Sequence, residues 1–167
     1  MKQKMLAAQV ERFGQPLLFK EIDIPTPGPG QVLVTTEACG VCHTDLHAAS
    51  GDWPLKPALP FTPGHEGIGI VTAPGAGVTS VKEGDRAGVP WLYSACGHCE
   101  FCLAAQESVC AGAQFGGYTK DGGFTDTSHG RGCSRRPDRG AFAARIQAGH
   151  CDDAQARHLR AGGHPSG

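Results

Sequence analysis

Four cysteines carry the strongest chemical signal in this chain. They begin in Cys96-Gly97-His98-Cys99-Glu100-Phe101-Cys102, and the fourth, Cys110, follows after seven further residues. Gaps of two let neighbouring thiolates turn inward on one centre, and the longer gap lets the chain return to close a tetrahedron. That is the geometry of a structural zinc site with four cysteine ligands. An iron–sulfur cluster fits less well. Its bacterial run places the fourth Cys after three residues and before Pro, whereas Cys110 follows seven residues and precedes Ala111. Disulfides within the run fit poorly, because cysteines three positions apart are badly placed to bridge one another.

A second group lies upstream: Cys39, Cys42, His43, Thr44, Asp45 and His47, followed by His65 and Glu66. Cys42 and His65 are both donors that suit zinc, and Gly64 and Gly67 bracket His65-Glu66 in a way that implies tight backbone packing. On residue types alone, a metal pair at Cys42 and His65 and ordinary packing remain equally open. Cys39 reads as a small buried hydrophobe, and His43 and His47 read as solvated helix residues.

The elements that must position these groups are short. Residues 5–10 and 17–24 read as strands around the turn Phe13-Gly14-Gln15-Pro16. The proline-rich stretch Pro25–Gly30 continues neither helix nor central strand. Residues 31–38 alternate as a strand does, with Val32, Val34 and Ala38 on one face. A helical turn is expected from Cys42 to Ala49, ended by Gly51. Four prolines between Trp53 and Pro63 demand a loop. Further strands are expected at 67–72 and 86–90, with a hairpin from Tyr118 to Asp126 around Asp121-Gly122-Gly123. Many short strands joined by Gly/Pro turns predict a mainly β fold, a partly open barrel with short helices.

The chain has 167 residues, including eight Cys, 25 Gly and 12 Pro. Its start leads into no long apolar run, so no signal peptide or membrane span is expected. Eight cysteines without an export signal point to metal or redox use in a reducing, cytoplasmic compartment. Net charge is −1, but residues 1–126 carry 8 basic and 13 acidic side chains, while 127–167 carry 7 Arg and 3 Asp. Those arginines lack interleaved aromatics or periodicity, which argues against nucleic-acid binding and for a composition break near residue 126.

The two clusters together resemble the N-terminal, catalytic half of the zinc-containing medium-chain alcohol dehydrogenase family. The resemblance rests on Ala38-Cys39-Gly40-Val41-Cys42-His43-Thr44-Asp45-Leu46-His47, on Pro63-Gly64-His65-Glu66-Gly67-Ile68-Gly69, on Gly84-Asp85-Arg86, on Trp91 and on the four-cysteine lobe. It runs nearly continuously from about residue 5 to 125. It implies a GroES-like β-barrel over residues 1–126, with structural zinc on Cys96, Cys99, Cys102 and Cys110. It further implies catalytic zinc on Cys42 and His65, with Glu66 able to approach the metal. Asp45 matches the carboxylate that orients the ligand imidazole, and Thr44 and His47 match a proton relay. His43 matches a residue contacting the cofactor pyrophosphate, and Trp53 and Trp91 match aromatics that narrow the substrate pocket. The implied reaction is zinc- and NAD-dependent oxidation of small primary alcohols to aldehydes, by an enzyme that is oligomeric in the family. No nucleic-acid or membrane partner is implied.

Two departures set the alternative, a catalytically inactive zinc-binding fragment. Such enzymes need a Rossmann domain, and the candidate Gly75-Ala76-Gly77-Val78-Thr79-Ser80 reads instead as a tight turn. The chain is therefore expected to be truncated before that domain. Residues 127–167 read as a divergent, poorly ordered tail in which Arg160 stands where the family places a third cysteine ligand. Cys133 and Cys151 have no evident role.

Overall fold

The computed structural model describes residues 3–131. Strands β1 (Lys4–Gln9) and β2 (Leu18–Asp23) pair antiparallel, Lys4 opposite Asp23 and Gln9 opposite Leu18. Strand β3 (Gln31–Cys39), β4 (Gly67–Pro74) and β5 (Arg86–Val89) join β8 (Thr127–Arg131) in one sheet of order β5-β4-β3-β8. A third, two-stranded sheet pairs β6 (Leu92–Ser94) with β7 (Gln114–Phe115). All pairs between named strands are antiparallel. The mainly β fold with short helices is as expected, although its sheets do not close into a barrel among the described residues. No helix there is long and apolar enough to cross a membrane.

The strands form one apolar layer from alternate residues. Val32, Val34, Val71, Val81 and Ala87 pack together, fully or almost fully buried. The alternation in β3 does not run to its end. The pairing skips Glu37, so Thr36 faces Gly69 and Ala38 faces Ile68. This bulge reverses the pleat and leaves Ala38 exposed, against the expected shared face with Val32 and Val34. The extra residue also brings the Thr35 carbonyl against Gly69, where a Cβ would overlap that oxygen.

Helix α1 (His43–Ser50) begins where Cys42 takes extended backbone and Asp45, three residues on, accepts the Cys42 N–H at 3.0 Å. It ends at Gly51, whose left-handed φ of 71° lets its N–H reach the carbonyls of His47 and Ala48. Ala48 packs with Val10, Phe61 and Tyr118 in a second apolar cluster, flanked by Phe13, Leu17, Trp53, Trp91 and Phe115.

The segment from Tyr118 to Asp126 is not the expected hairpin. Its amides bond to a different loop: Gly122 N–H donates to Thr62 O, Gly123 to Gly64 O and Phe124 to Pro63 O, at 2.7, 2.7 and 3.0 Å. Asp121, the residue expected at the turn, accepts the Thr62 N–H instead. Gly75–Gly77 is the tight turn expected after β4, with the Val78 N–H on the Gly75 carbonyl.

The sheet also runs past the expected boundary at residue 126. Thr127–Arg131 pairs along β3 from Thr35 to Gln31. Its Arg- and Gly-rich composition hid a strand that needs little apolar content, because ladder bonds to β3 hold it. Arg160, Cys133, Cys151 and the rest of the expected tail lie outside the described residues.

Gly69→Ala is expected to cost about 1–3 kcal/mol of stability or more through overpacking against fixed backbone. Gly88→Ala, whose Cβ would meet only the Gly67 oxygen at 3.5 Å, should be near neutral. Urea unfolding of the two variants beside the parent checks the difference.

Candidate metal centres

The lobe spanning Ala95 to Ala113 leaves the molecule between β6 and β7, whose antiparallel pairing closes its base. The Ser94 hydroxyl donates to Gln114 Oε1 at 3.1 Å across that base. Inside the lobe, α2 (Glu100–Leu103) and a 3-10 turn (Glu107–Val109) fold the chain back on itself. The Sγ atoms of Cys96, Cys99, Cys102 and Cys110 thereby come within 4.8 Å of one another. Backbone amides point at the sulfurs: Cys99 N–H donates to Cys96 Sγ and Gly112 N–H to Cys110 Sγ, each at 3.3 Å.

Those amides favour thiolate over thiol. The backbone N–H groups of His98 and Cys99 hold the Cys96 thiol down at about 6. Burial acts the opposite way on Cys102, which is fully enclosed and pushed up to about 12. Four thiols around one point, with amides aimed at them, suit a soft or borderline cation of tetrahedral preference.

The second cluster is assembled from distant segments. Cys42 caps α1, while His65 and Glu66 end the proline-rich loop just before β4, and their ligand atoms lie within 4.8 Å of one another. Asp45 holds them there. Its buried carboxylate accepts the Cys42 N–H at 3.0 Å, the Gly64 N–H at 3.0 Å and His65 Nδ1 at 2.9 Å. A carboxylate can only accept, so Nδ1 carries a proton there, and in the neutral ring the lone pair sits on Nε2. Gly64 must be glycine here: φ is 99°, and a Cβ would meet Phe124 at 2.6 Å and Cys39 Sγ at 3.0 Å. At Gly40 a Cβ would instead meet the Glu66 side chain and push its carboxylate aside.

Cys39 is outside this group. Its half-buried sulfur packs beside Gly64 and Gly123, and burial raises its thiol above the usual range. Thr44 is half-buried in the first turn of α1, and His43 and His47 are exposed. His47 has a partner that sequence reading missed, Asp52, whose Oδ2 lies 2.8 Å from its Nδ1. The pairing crosses the Gly51 cap, a reversal that residue spacing does not announce.

The indoles expected near the site form one aromatic wall. Trp91 meets the His65 ring edge-on at 5.1 Å and Trp53 at 6.0 Å, and Trp53 lies 6.1 Å from His47. Two further residues, Phe115 and Tyr118, complete the wall at 5.0 and 5.8 Å from Trp91. The Tyr118 hydroxyl donates to the Leu55 carbonyl and so ties down the loop that carries Trp53. Neither residue belonged to a motif; only the return of the chain beside β6 puts them there.

Comparison with known proteins agrees with this geometry. The chain is 59% identical over 122 residues to an alcohol dehydrogenase from Moraxella sp. (strain TAE123), an alignment covering 73% of this chain and 36% of that protein. It thus spans about a third of the length of such a relative. Among solved structures it is similar to a zinc-binding dehydrogenase from Sinorhizobium meliloti 1021 bound to NADP, at 33% identity and TM-score 0.67, over 78% of this chain and 37% of that one. It is also similar to a cobalt- and zinc-bound thermostable alcohol dehydrogenase from Pyrobaculum aerophilum, at 30% identity and TM-score 0.69, over 86% of this chain and 43% of that one. The model of the alcohol dehydrogenase GroES-like domain matches residues 28–132, more than half of the chain and both cysteine clusters, and the chain therefore belongs to that family.

Proposed function

We propose that this chain forms the metal-binding, substrate-side part of a cytoplasmic zinc- and NAD-dependent alcohol dehydrogenase oxidising small primary alcohols to aldehydes. The observation that carries the reading is the Asp45 carboxylate. It fixes His65 with Nε2 available, beside Cys42 Sγ and a Glu66 oxygen. A thiol, an imidazole and a carboxylate make the mixed donor set of catalytic zinc, with a fourth position left for substrate. Glu66 supplies the third donor here, and Asp45 does the orienting that such sites require.

When bound, zinc supplies Lewis acidity toward the alcohol oxygen and NAD accepts the hydride. The chain's own residues do the rest. Trp53 and Trp91 wall the approach beside His65, which favours small alcohols. By the family resemblance Thr44 and His47, three apart on α1, form the relay that carries the alcohol proton outward, with the cofactor ribose bridging between them. Asp52 holds His47 through Nδ1 and leaves Nε2 to accept that proton. His43, one turn before His47, is the residue that the family resemblance assigns to the cofactor pyrophosphate. The four-cysteine lobe binds a second zinc for structural ends, worth roughly 10–16 kcal/mol of apparent folding free energy in small zinc domains.

A second reading, a zinc-binding chain without turnover of its own, is favoured by one observation. Nicotinamide dinucleotides bind where parallel strands meet helix N-termini, and the named strands of the described residues pair antiparallel throughout. Alcohol-dependent NADH absorbance of the zinc-loaded chain separates the two readings, since turnover excludes the second.

Zinc content tests the sites themselves. Near two zinc ions per chain are expected, and near one if the lobe alone is filled. Asp45→Asn turns an amide N–H toward a backbone or imidazole donor. It should therefore weaken the Cys42/His65 site about 10–100-fold and leave the lobe loaded.

Zinc uptake by the lobe must expel thiol protons. Cys102, pushed up to about 12, gives up its proton, whereas Cys96, held down at about 6, is already thiolate at neutral pH. Calorimetry in two buffers of different ionisation enthalpy should read fewer than four protons per lobe zinc. Affinity should fall more steeply with acid once pH drops through the Cys96 value of about 6.

A further inference from the structure

We propose that the outer face of α1 is a separate metal site, where His43 and His47 chelate a divalent ion of the nickel, copper and zinc group. The inference is independent of the dehydrogenase chemistry and of the Cys42/His65 cluster. His43 and His47 stand four apart on one helix face, both exposed, with ring centroids 5.9 Å apart and planes tilted by 41°. Residues at that spacing lie about 5–6 Å apart at Cβ, which allows two imidazoles to converge on one ion at about 2.0–2.1 Å.

Three features make the pair more than two neighbouring side chains. The backbone that presents them is capped at both ends, by the Asp45 carboxylate on the Cys42 N–H and by left-handed Gly51. Asp52 Oδ2 lies 2.8 Å from His47 Nδ1, and a neutral ring donating there keeps its lone pair on Nε2. A carboxylate behind a ligand imidazole in this way orients the ring and raises its basicity. Asp52 also places a negative charge beside the incoming cation. Imidazole donors in an open, water-accessible site select the later first-row divalent ions, with affinity rising from cobalt through nickel to copper. Such an ion would occupy the two histidines to which the proposed reaction assigns proton transfer and pyrophosphate contact, so excess metal would act there as an inhibitor.

The test is a Ni2+ titration of the full chain already loaded with zinc, which protects the thiolate clusters. It is followed by calorimetry and by tryptophan fluorescence. The chain has two Trp residues, and Trp53 lies 6.1 Å from the His47 ring, so nickel at this site should quench its emission saturably. His43→Gln and His47→Gln should each weaken that event at least about tenfold, and Asp52→Asn should weaken it about tenfold as well. Cys42→Ser should leave it unchanged. Circular dichroism of each variant checks that the fold is kept. The proposal is overturned if both histidine variants bind nickel as the parent does, or if Cys42→Ser abolishes the event.

Discussion

The buried carboxylate of Asp45 is the interaction on which the rest of this site depends. A charge removed from water is tolerated only when hydrogen bonds replace its hydration. Three donors do so here, the amides of Cys42 and Gly64 and the ring of His65. The first turn of α1 adds the positive end of a helix dipole. Because the donors come from two segments, satisfying the charge also docks the helix against the proline-rich loop. That loop is held in turn by the amides of Gly122, Gly123 and Phe124, which lead directly into β8. Local helix geometry, loop position and imidazole tautomer are thus set by one side chain.

The two cysteine-containing clusters solve different physical problems. The lobe is local: its four ligands sit within one excursion, its base is a two-residue clasp, and little apolar surface is enclosed around it. Amides aimed at sulfur hold its thiols together, and a metal on those four thiols would add to its cohesion. The Cys42/His65/Glu66 cluster is non-local and rests on the fold, with an aromatic wall on one side and the carboxylate behind it. Losing metal should therefore disorder the first and merely empty the second.

Helix α1 divides its duties between faces. Asp45 and Ala48 are buried and carry the packing, while His43 and His47 are exposed, His47 beside Asp52. Eight residues with both ends capped give those imidazoles a firm base, which an uncapped helix of that length would not.

Much was legible in the sequence, for definable reasons. Ligand spacing in Cys96–Cys110 is a local property, so the lobe could be read without a fold. Strand alternation in Val32 and Val34, the Gly51 stop and the proline-rich loop are local too, and the family motifs around Cys42 and His65 gave the second cluster. Other features depended on chain segments meeting far along the sequence. The bulge that exposes Ala38 is set by pairing with β4, and the conformation of Tyr118–Asp126 is set by the carbonyls of Thr62–Gly64, which accept the Gly122–Phe124 amides. The strand at Thr127–Arg131 exists because β3 offers it an edge. Likewise Asp52 behind His47, and Phe115 and Tyr118 around Trp91, carry no periodicity or spacing of their own. Sequence by itself determined which donors this protein carries and which short elements hold them. Tertiary structure decided which donors converge and which polar partners orient them, because hydrogen bonds between distant backbone groups are settled only when the whole chain has packed.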